Sequence, residues 1–167
     1  DIMSGYGVLM REALEQMGSV KPTHLFLPAG CGGLAAGLIA FLWREMNENL
    51  CELISVESRY SSCILESIKA KRPVFVDIKE ETSMVGLSCG EVSEQAWKIL
   101  SKTLSHSVSI SDKAVAPLMK LFLDGKCGGG SIEAGECATS GAASLLAICK
   151  EKKLKKEINL DEGSIVL

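Results

Sequence analysis

The sequence predicts an α/β fold in which helices cover both faces of a parallel sheet, a three-layer α/β/α arrangement. Short apolar runs of strand type alternate along the chain with stretches whose apolar residues recur at helical spacing. A glycine-rich turn directly follows the first of these strands. Because strands that alternate with helices are typical of parallel sheets, and 167 residues suffice for one packed core, we expect a single domain.

The first elements are two helices and two strands. An amphipathic helix is predicted over residues 4–17, and residues 24–27 form a short apolar run that indicates a buried strand. A second helix over residues 33–46 follows the glycine turn. Residues 53–56 are predicted as the next strand, which ends at Glu57.

The middle of the chain combines a helix with a long irregular stretch. The helix is predicted over residues 62–70, with Ser58 and Ser61 as plausible capping residues. Residues 71–90 contain a strand-like run at 74–76 but are otherwise irregular. Since loops of this length inside compact domains are commonly functional, this stretch is expected to contribute to a site.

The second half continues the alternation. It is predicted to hold a helix over residues 93–100, a strand over 107–110, a helix over 111–123, a turn over 125–130, a helix over 137–150 with a solvated charged end at 150–153, and a strand that starts at 164–167. The chain opens just before a helix, without an initiator methionine, and closes inside an apolar strand. We therefore expect it to be a fragment of a longer protein.

Composition argues against several classes of function. The net charge is −3 and the basic residues are scattered, so a nucleic-acid-binding face is not expected. The seven cysteines lie singly, without a C-x-x-C pair or a secretory segment, which indicates reduced thiols and a cytoplasmic protein. The longest apolar run, residues 32–43, is too short to cross a bilayer, so no membrane association is expected.

The glycine-rich turn suggests an anion site. Backbone N–H groups at a helix N-terminus are unpaired, and glycines allow an anion to approach them closely. The residues placed for this are Gly30, Cys31, Gly32, Gly33 and Leu34. A plain structural alternative is a tight turn in which Gly33 and Gly37 only allow close helix packing.

The same turn also fits a dinucleotide-binding pattern loosely. Residues 30–35 match G-x-G-x-x-G/A, and Glu57 ends the next strand, where an acid would bind a ribose. However, Glu57 follows Gly30 by 27 positions, more than the roughly 20 that the pattern expects. A helix-capping or ion-paired role for Glu57 is the alternative that we favour.

Six segments of the chain, taken together, resemble the diaminopropionate ammonia-lyases. They are DIMSGYG at residues 1–7, PTH at 22–24, AGCGG at 29–33, MVGLSCGE at 84–91, AW at 96–97 and SIEAGE at 131–136. This family consists of pyridoxal-phosphate enzymes of fold type II, the tryptophan-synthase-like fold. The resemblance implies that residues 1–167 form one cofactor-binding large domain, and that the small domain lies outside the chain.

The resemblance also implies roles for particular residues. The cofactor phosphate would bind to the backbone of residues 30–34, with Gly86 and Glu136 near the cofactor. The substrate pocket would include Ser88, Cys89 and Tyr6, although Tyr6 is as well explained by packing of its helix on the sheet. Cysteines 89 and 137 are expected to be pocket walls rather than nucleophiles, because no histidine lies near either in sequence. For His24 and His106, a structural role at strand entries is expected.

The implied reaction is elimination of ammonia from 2,3-diaminopropionate to give pyruvate. The lysine that binds the cofactor as a Schiff base, and the partner of the pyridine nitrogen, have no matching motif here, so no catalytic residue is assigned and the fragment alone is expected to be inactive. Family members are generally homodimers, so a homodimer is expected. Three alternatives stay open: a serine or threonine dehydratase, a dinucleotide-binding Rossmann-like module and a non-catalytic relic.

Overall fold

The centre of the molecule is a parallel three-stranded sheet. The computed structural model describes residues 2–46 and 51–167. Strands β1 (His24–Pro28), β2 (Glu52–Ser58) and β3 (His106–Ile110) lie in the order β1-β2-β3. On the far side of β1, Val166 forms a single parallel bridge with His24. The parallel sheet predicted from the alternation of elements is therefore confirmed, including a short strand-like end to the chain.

Eight α-helices occur in the described part of the chain, and six of them pack around this sheet in two layers. In chain order they are α1 (Ile2–Gly5), α2 (Gly7–Met17), α3 (Gly33–Met46), α4 (Cys63–Ala70), α5 (Glu94–Thr103), α6 (Val115–Leu123), α7 (Glu136–Cys149) and α8 (Lys152–Glu157). Buried residues of α2, α3, α4 and α5 form one apolar cluster, and those of α6 and α7 form a second.

Alternating side chains of β1 reach the two clusters. Leu25 and Leu27 pack into the cluster that contains α3, whereas Phe26 between them packs into the cluster that contains α7. Successive side chains of a strand point to opposite faces, so a strand covered on both faces carries apolar side chains on both. This explains the continuous apolar run and confirms the three-layer α/β/α fold.

The helix predicted over residues 4–17 is interrupted at Tyr6. Helix α1 lies so close to α3 that a Cβ at Gly37 would overlap the carbonyl oxygen of Met3. Helix α2 also packs on α3. The break at Tyr6 allows both short helices to follow α3, a tertiary constraint that apolar spacing alone does not reveal.

Two further predictions were wrong. Residues 74–76 form no strand, because the backbone N–H of Val76 donates to the Gly90 carbonyl and that of Val74 donates to the hydroxyl of Ser67, which gives no ladder. The charged residues 150–153 are not merely the end of the preceding helix, because α8 begins within them. Ile158 and Leu160 after α8 are buried, so this helix returns the chain to the core.

Candidate anion-binding site

The glycine-rich turn lies between the end of β1 and the start of α3. Gly32 has a φ of +87°, and a Cβ there would lie 2.7 Å from Cδ1 of the buried Leu100. Glycine is therefore required at this position. The backbone N–H groups of Gly32, Gly33 and Leu34 bond to no acceptor in residues 2–46 or 51–167. A turn with free N–H groups and no side chain at its centre fits a phosphate.

A second segment closes on this turn, and we call residues 85–90 the pocket loop. A Cβ at Gly30 would lie 3.0 Å from Sγ of Cys89 and 3.1 Å from the carbonyl oxygen of Gly86. A Cβ at Gly86 would in turn lie 3.1 Å from Sγ of Cys137 in the first turn of α7. The structure thus brings together Gly30, the pocket-loop residues Gly86 and Cys89, and Cys137, which come from three distant segments of the sequence.

Two thiols beside the turn, those of Cys89 and Cys63, are poor nucleophiles. Burial raises the pKa of Cys89, and the neighbouring thiol of Cys31 raises it further. Burial, with the nearby carboxyl of Glu57, raises the pKa of Cys63 to about 12, and its Sγ donates to the Gly30 carbonyl at 3.5 Å. These thiols are protonated at neutral pH, which suits pocket walls and not nucleophilic catalysis.

Glu57 is fully buried and caps helix α4. Its two carboxylate oxygens accept hydrogen bonds from the backbone N–H groups of Ile64 (2.7 Å) and Leu65 (2.8 Å). Burial raises its pKa to about 7, although these hydrogen bonds act in the opposite direction. With no exposed surface and both oxygens occupied, Glu57 is not available to bind a ribose. The capping role that we favoured is confirmed.

Ser58 and Ser61 do not cap α4, contrary to prediction. The hydroxyl of Ser58 donates to Asp112 and accepts from the backbone N–H of Tyr60. The hydroxyl of Ser61 donates to the Leu87 carbonyl at 2.9 Å, which ties the pocket loop to the end of β2. Glu57 displaced them as the cap because its carboxylate reaches two N–H groups at once.

The other predicted site residues lie around the turn with fewer contacts. Tyr6 packs near Gly37 of α3, where a Cβ would lie 3.2 Å from its own Cβ, which matches the packing alternative. Ser88 donates to Glu81 at 3.0 Å. Glu136 is exposed at the start of α7. None of the described contacts joins these side chains directly to the turn, so their roles toward a ligand stay predictions.

Sequence reasoning missed two groups of residues at the site. The side chain of Met3 lies 3.8 Å from the position of a Cβ on Gly33, closer to the turn than Tyr6. Asp112 accepts hydrogen bonds from Thr82 and Ser83, just before the pocket loop. The only available signal was positional, because Asp112 follows the carboxyl end of β3, the edge of a parallel sheet where ligands bind.

Outside the glycine turn and the pocket loop, the described residues show no second site that matches a prediction from the sequence. His24 is buried and its Nε2 donates to the Ile158 carbonyl at 2.7 Å, so its role is structural, as predicted. No cluster of three or more metal-ligating side chains occurs within residues 2–46 and 51–167. No helix in the same residues is long and apolar enough to cross a membrane. A groove of about 830 Å³ beside β3, between α6 and α7, contains none of the predicted site residues.

Comparison with known proteins agrees with this geometry. A family model described as pyridoxal-phosphate dependent enzyme matches residues 1–167. Diaminopropionate ammonia-lyase of Escherichia coli K12 is 31% identical over 171 residues, which cover 99% of this chain and 43% of that protein. L-threonine dehydratase of Pasteurella multocida is 25% identical over 99% of this chain and 29% of that protein.

A solved structure supports the same relationship. The Escherichia coli diaminopropionate ammonia-lyase in complex with an aminoacrylate-PLP azomethine reaction intermediate superposes with a TM-score of 0.86 and 32% identity, over 99% of this chain and 43% of that one. The chain therefore spans less than half the length of these relatives.

Proposed function

The chain belongs to the family of pyridoxal-phosphate dependent enzymes, and we propose that it is part of a lyase that eliminates ammonia from 2,3-diaminopropionate. The overall reaction converts diaminopropionate and one water molecule into pyruvate and two molecules of ammonia. The observation that carries the proposal is the glycine turn with its free N–H groups, closed by the pocket loop. The similarity to diaminopropionate ammonia-lyases over 99% of the chain supports the choice of substrate.

Pyridoxal phosphate supplies an electron-withdrawing ring that stabilises negative charge at the α-carbon of a bound amino acid. The residues of this chain hold and enclose the cofactor. The N–H groups of Gly32, Gly33 and Leu34 bind its phosphate at the start of α3, where the helix dipole favours a negative charge. Gly30 leaves the space through which the pocket loop approaches the turn.

The pocket loop and the first turn of α7 exclude water from one side of the site. Cys89 and Cys137 form the wall here, and the raised pKa of Cys89 keeps its thiol neutral beside the bound substrate. Gly86 and Glu136 lie toward the cofactor, and Ser88 lies toward the substrate. None of these groups is proposed to take the α-proton.

We propose that residues 1–167 form the larger, cofactor-holding domain. The lysine that binds the cofactor would then lie outside residues 1–167, in a region that corresponds to the unmatched part of the relatives. The relatives' extra length, more than half of each protein, leaves room for that lysine and for a small domain. On this arrangement the stretch alone binds the cofactor weakly and does not turn over substrate.

A homodimer in the cytoplasm is proposed as the working state. Val8 and Leu9 are both 56% exposed on α2 and would suit a subunit contact. All seven cysteines are free thiols, as is usual in a reducing compartment. Analytical ultracentrifugation of the full-length protein tests the dimer: a single species of one-subunit mass at micromolar concentration would refute it. Cell fractionation tests the compartment.

A threonine or serine dehydratase is the second candidate, because an L-threonine dehydratase matches 99% of this chain. The two enzymes differ in the leaving group, ammonia in one and water in the other. The test supplies the full-length protein and pyridoxal phosphate with 2,3-diaminopropionate, L-serine or L-threonine, and measures the keto acid formed. We expect pyruvate from diaminopropionate at the highest kcat/KM. Turnover of threonine or serine without diaminopropionate would establish the dehydratase instead.

A further inference from the structure

We propose that Asp112 is a positioning residue for the cofactor site, because its carboxylate fixes the segment that leads into the pocket loop. This inference rests on the proposed function, since it concerns the same cofactor. Asp112 lies just after β3, while the segment it holds lies 30 positions earlier in the chain. Nothing in the family resemblance singled it out.

Three donors converge on this one carboxylate. The hydroxyl of Thr82 is 2.9 Å from each oxygen, the backbone N–H of Ser83 donates to Oδ2 at 2.6 Å, and the hydroxyl of Ser58 donates to Oδ1 at 3.1 Å. The bonds therefore join the turn between β3 and α6, the end of β2 and the irregular segment. An ionised carboxylate only accepts hydrogen bonds, so it satisfies all three donors at once.

The electrostatics agree with an ionised Asp112. Partial burial acts to raise its pKa, but the hydrogen bonds from Ser83, Thr82 and Ser58 outweigh it and lower the pKa. The carboxylate is therefore charged at neutral pH, and its hydrogen bonds are of the stronger, charge-assisted kind.

The connection from Asp112 to the phosphate turn is continuous. The hydroxyl of Thr82 accepts a hydrogen bond from the N–H of Met84 at 3.1 Å, and the Met84 carbonyl accepts from the N–H of Leu87 at 2.8 Å. This closes the short turn Val85–Leu87, whose backbone lies against Gly30. Met84 itself is fully buried and anchors the segment in the core.

Besides the Asp112 contacts, the segment is held by the buried Met84 and by isolated hydrogen bonds, such as those of Val74 with Ser67 and Val76 with Gly90. Residues 71–84 contain no helix or strand. Loss of the Asp112 contacts should therefore release the entry to the pocket loop while the sheet and its helices stay in place. The expected consequence is weaker cofactor binding, and not general unfolding.

The experiment compares the affinity for pyridoxal phosphate of full-length wild type and Asp112→Asn, by titration of visible absorbance. The amide offers one acceptor oxygen and places an NH₂ group against the remaining donors, so we expect affinity to fall about tenfold, the effect of one lost charge-assisted hydrogen bond. Asp124→Asn is the matched control, since Asp124 directly follows α6 and its carboxylate pairs only with Lys120 and Lys126 among the described residues. Its affinity should equal that of wild type.

A second pair of variants tests the same connection without a change of charge. Thr82→Val keeps the shape but removes the hydroxyl, and should reproduce the loss of affinity, whereas Thr82→Ser should retain wild-type affinity. If Asp112→Asn does not fold, these two Thr82 variants alone test the positioning role of Asp112. Wild-type affinity in both Asp112→Asn and Thr82→Val would refute the positioning role and leave the proposed function intact. A full-length wild type that binds no pyridoxal phosphate would refute the proposed function itself, and this inference with it.

Discussion

Glu57 Oε1 accepts a 2.7 Å hydrogen bond from the backbone N–H of Ile64, at the start of helix α4. Its Oε2 accepts a 2.8 Å hydrogen bond from the backbone N–H of the next residue, Leu65, and the whole side chain is buried. The carboxylate at the end of β2 therefore has a structural role, as the cap of α4. This contact separates the molecule from dinucleotide-binding proteins, in which the acid at this place binds a ribose.

Burial of Glu57 predicts a pH-dependent stability. Because the pKa of Glu57 rises from the ordinary 4.5 to about 7, the folded protein binds the proton of this carboxyl group more tightly than the unfolded chain does. The contribution to the free energy of unfolding is complete below pH 4.5, falls as pH rises and is lost above pH 7, a loss of about 3 kcal/mol.

Urea unfolding at pH 5 and pH 8 measures this contribution as the difference between wild type and Glu57→Gln. The glutamine cannot ionise, so the wild type should lose stability relative to the variant as pH increases. Glu66→Gln is the control, since Glu66 is on the same helix but pairs with Lys69 at the surface. A wild type that gains stability relative to Glu57→Gln over this range would contradict the buried-carboxyl account.

Gly30→Ala should weaken cofactor binding. The new Cβ would lie within 3.2 Å of Sγ of Cys89, the Gly86 carbonyl oxygen and Cα of Leu87, so the pocket loop must move away from the turn. We expect a loss of roughly 1–3 kcal/mol in the binding free energy of pyridoxal phosphate to the full-length protein. Gly163→Ala, where the nearest atom is 3.5 Å away, is the control and should bind normally. Equal affinities in both variants would show that the loop does not need this close approach.

His24→Ala should destabilise the fold. The carbonyl of Ile158 would lose the 2.7 Å hydrogen bond from Nε2 of His24 in a buried environment, at a cost of roughly 2 kcal/mol in the free energy of unfolding. His106→Ala is the comparison, because His106 is only partly buried and its Nε2 is 3.8 Å from Glu52, so less than about 1 kcal/mol is expected. Similar losses in the two variants, measured by urea unfolding, would argue against the structural role of His24.

The cysteines should differ sharply in reactivity. Burial raises the pKa of Cys63 to about 12, so its thiolate is scarce at pH 8, whereas Cys31, Cys127 and Cys149 are exposed. Iodoacetamide treatment of the native protein followed by peptide mass spectrometry should modify the three exposed cysteines first and leave Cys63 unmodified. Rapid modification of Cys63 would show that the region between Glu57 and Gly30 opens readily.

Local patterns in the sequence predicted the strands and the glycine turn because these depend on local chemistry. The apolar run before Pro28 requires burial on both faces, and the glycines after it require a tight turn. The contacts that close the site could not be predicted in this way. Asp112 meets Thr82 across 30 positions, and Ser61 meets Leu87 across 26, through side chains that show no periodic pattern. Serines before α4 resembled caps, but the buried Glu57 competes more strongly for its N–H groups.

The proposed function requires that the backbone of residues 30–34 holds the phosphate of the cofactor. Hydrogen–deuterium exchange of the full-length protein, with and without saturating pyridoxal phosphate, measures those N–H groups directly. We expect the N–H groups of Gly32, Gly33 and Leu34, which have no acceptor in the described structure, to exchange much more slowly when the cofactor is bound. Unchanged exchange in this turn, with protection elsewhere in the protein, would place the phosphate at a different site and contradict the proposed role of the turn.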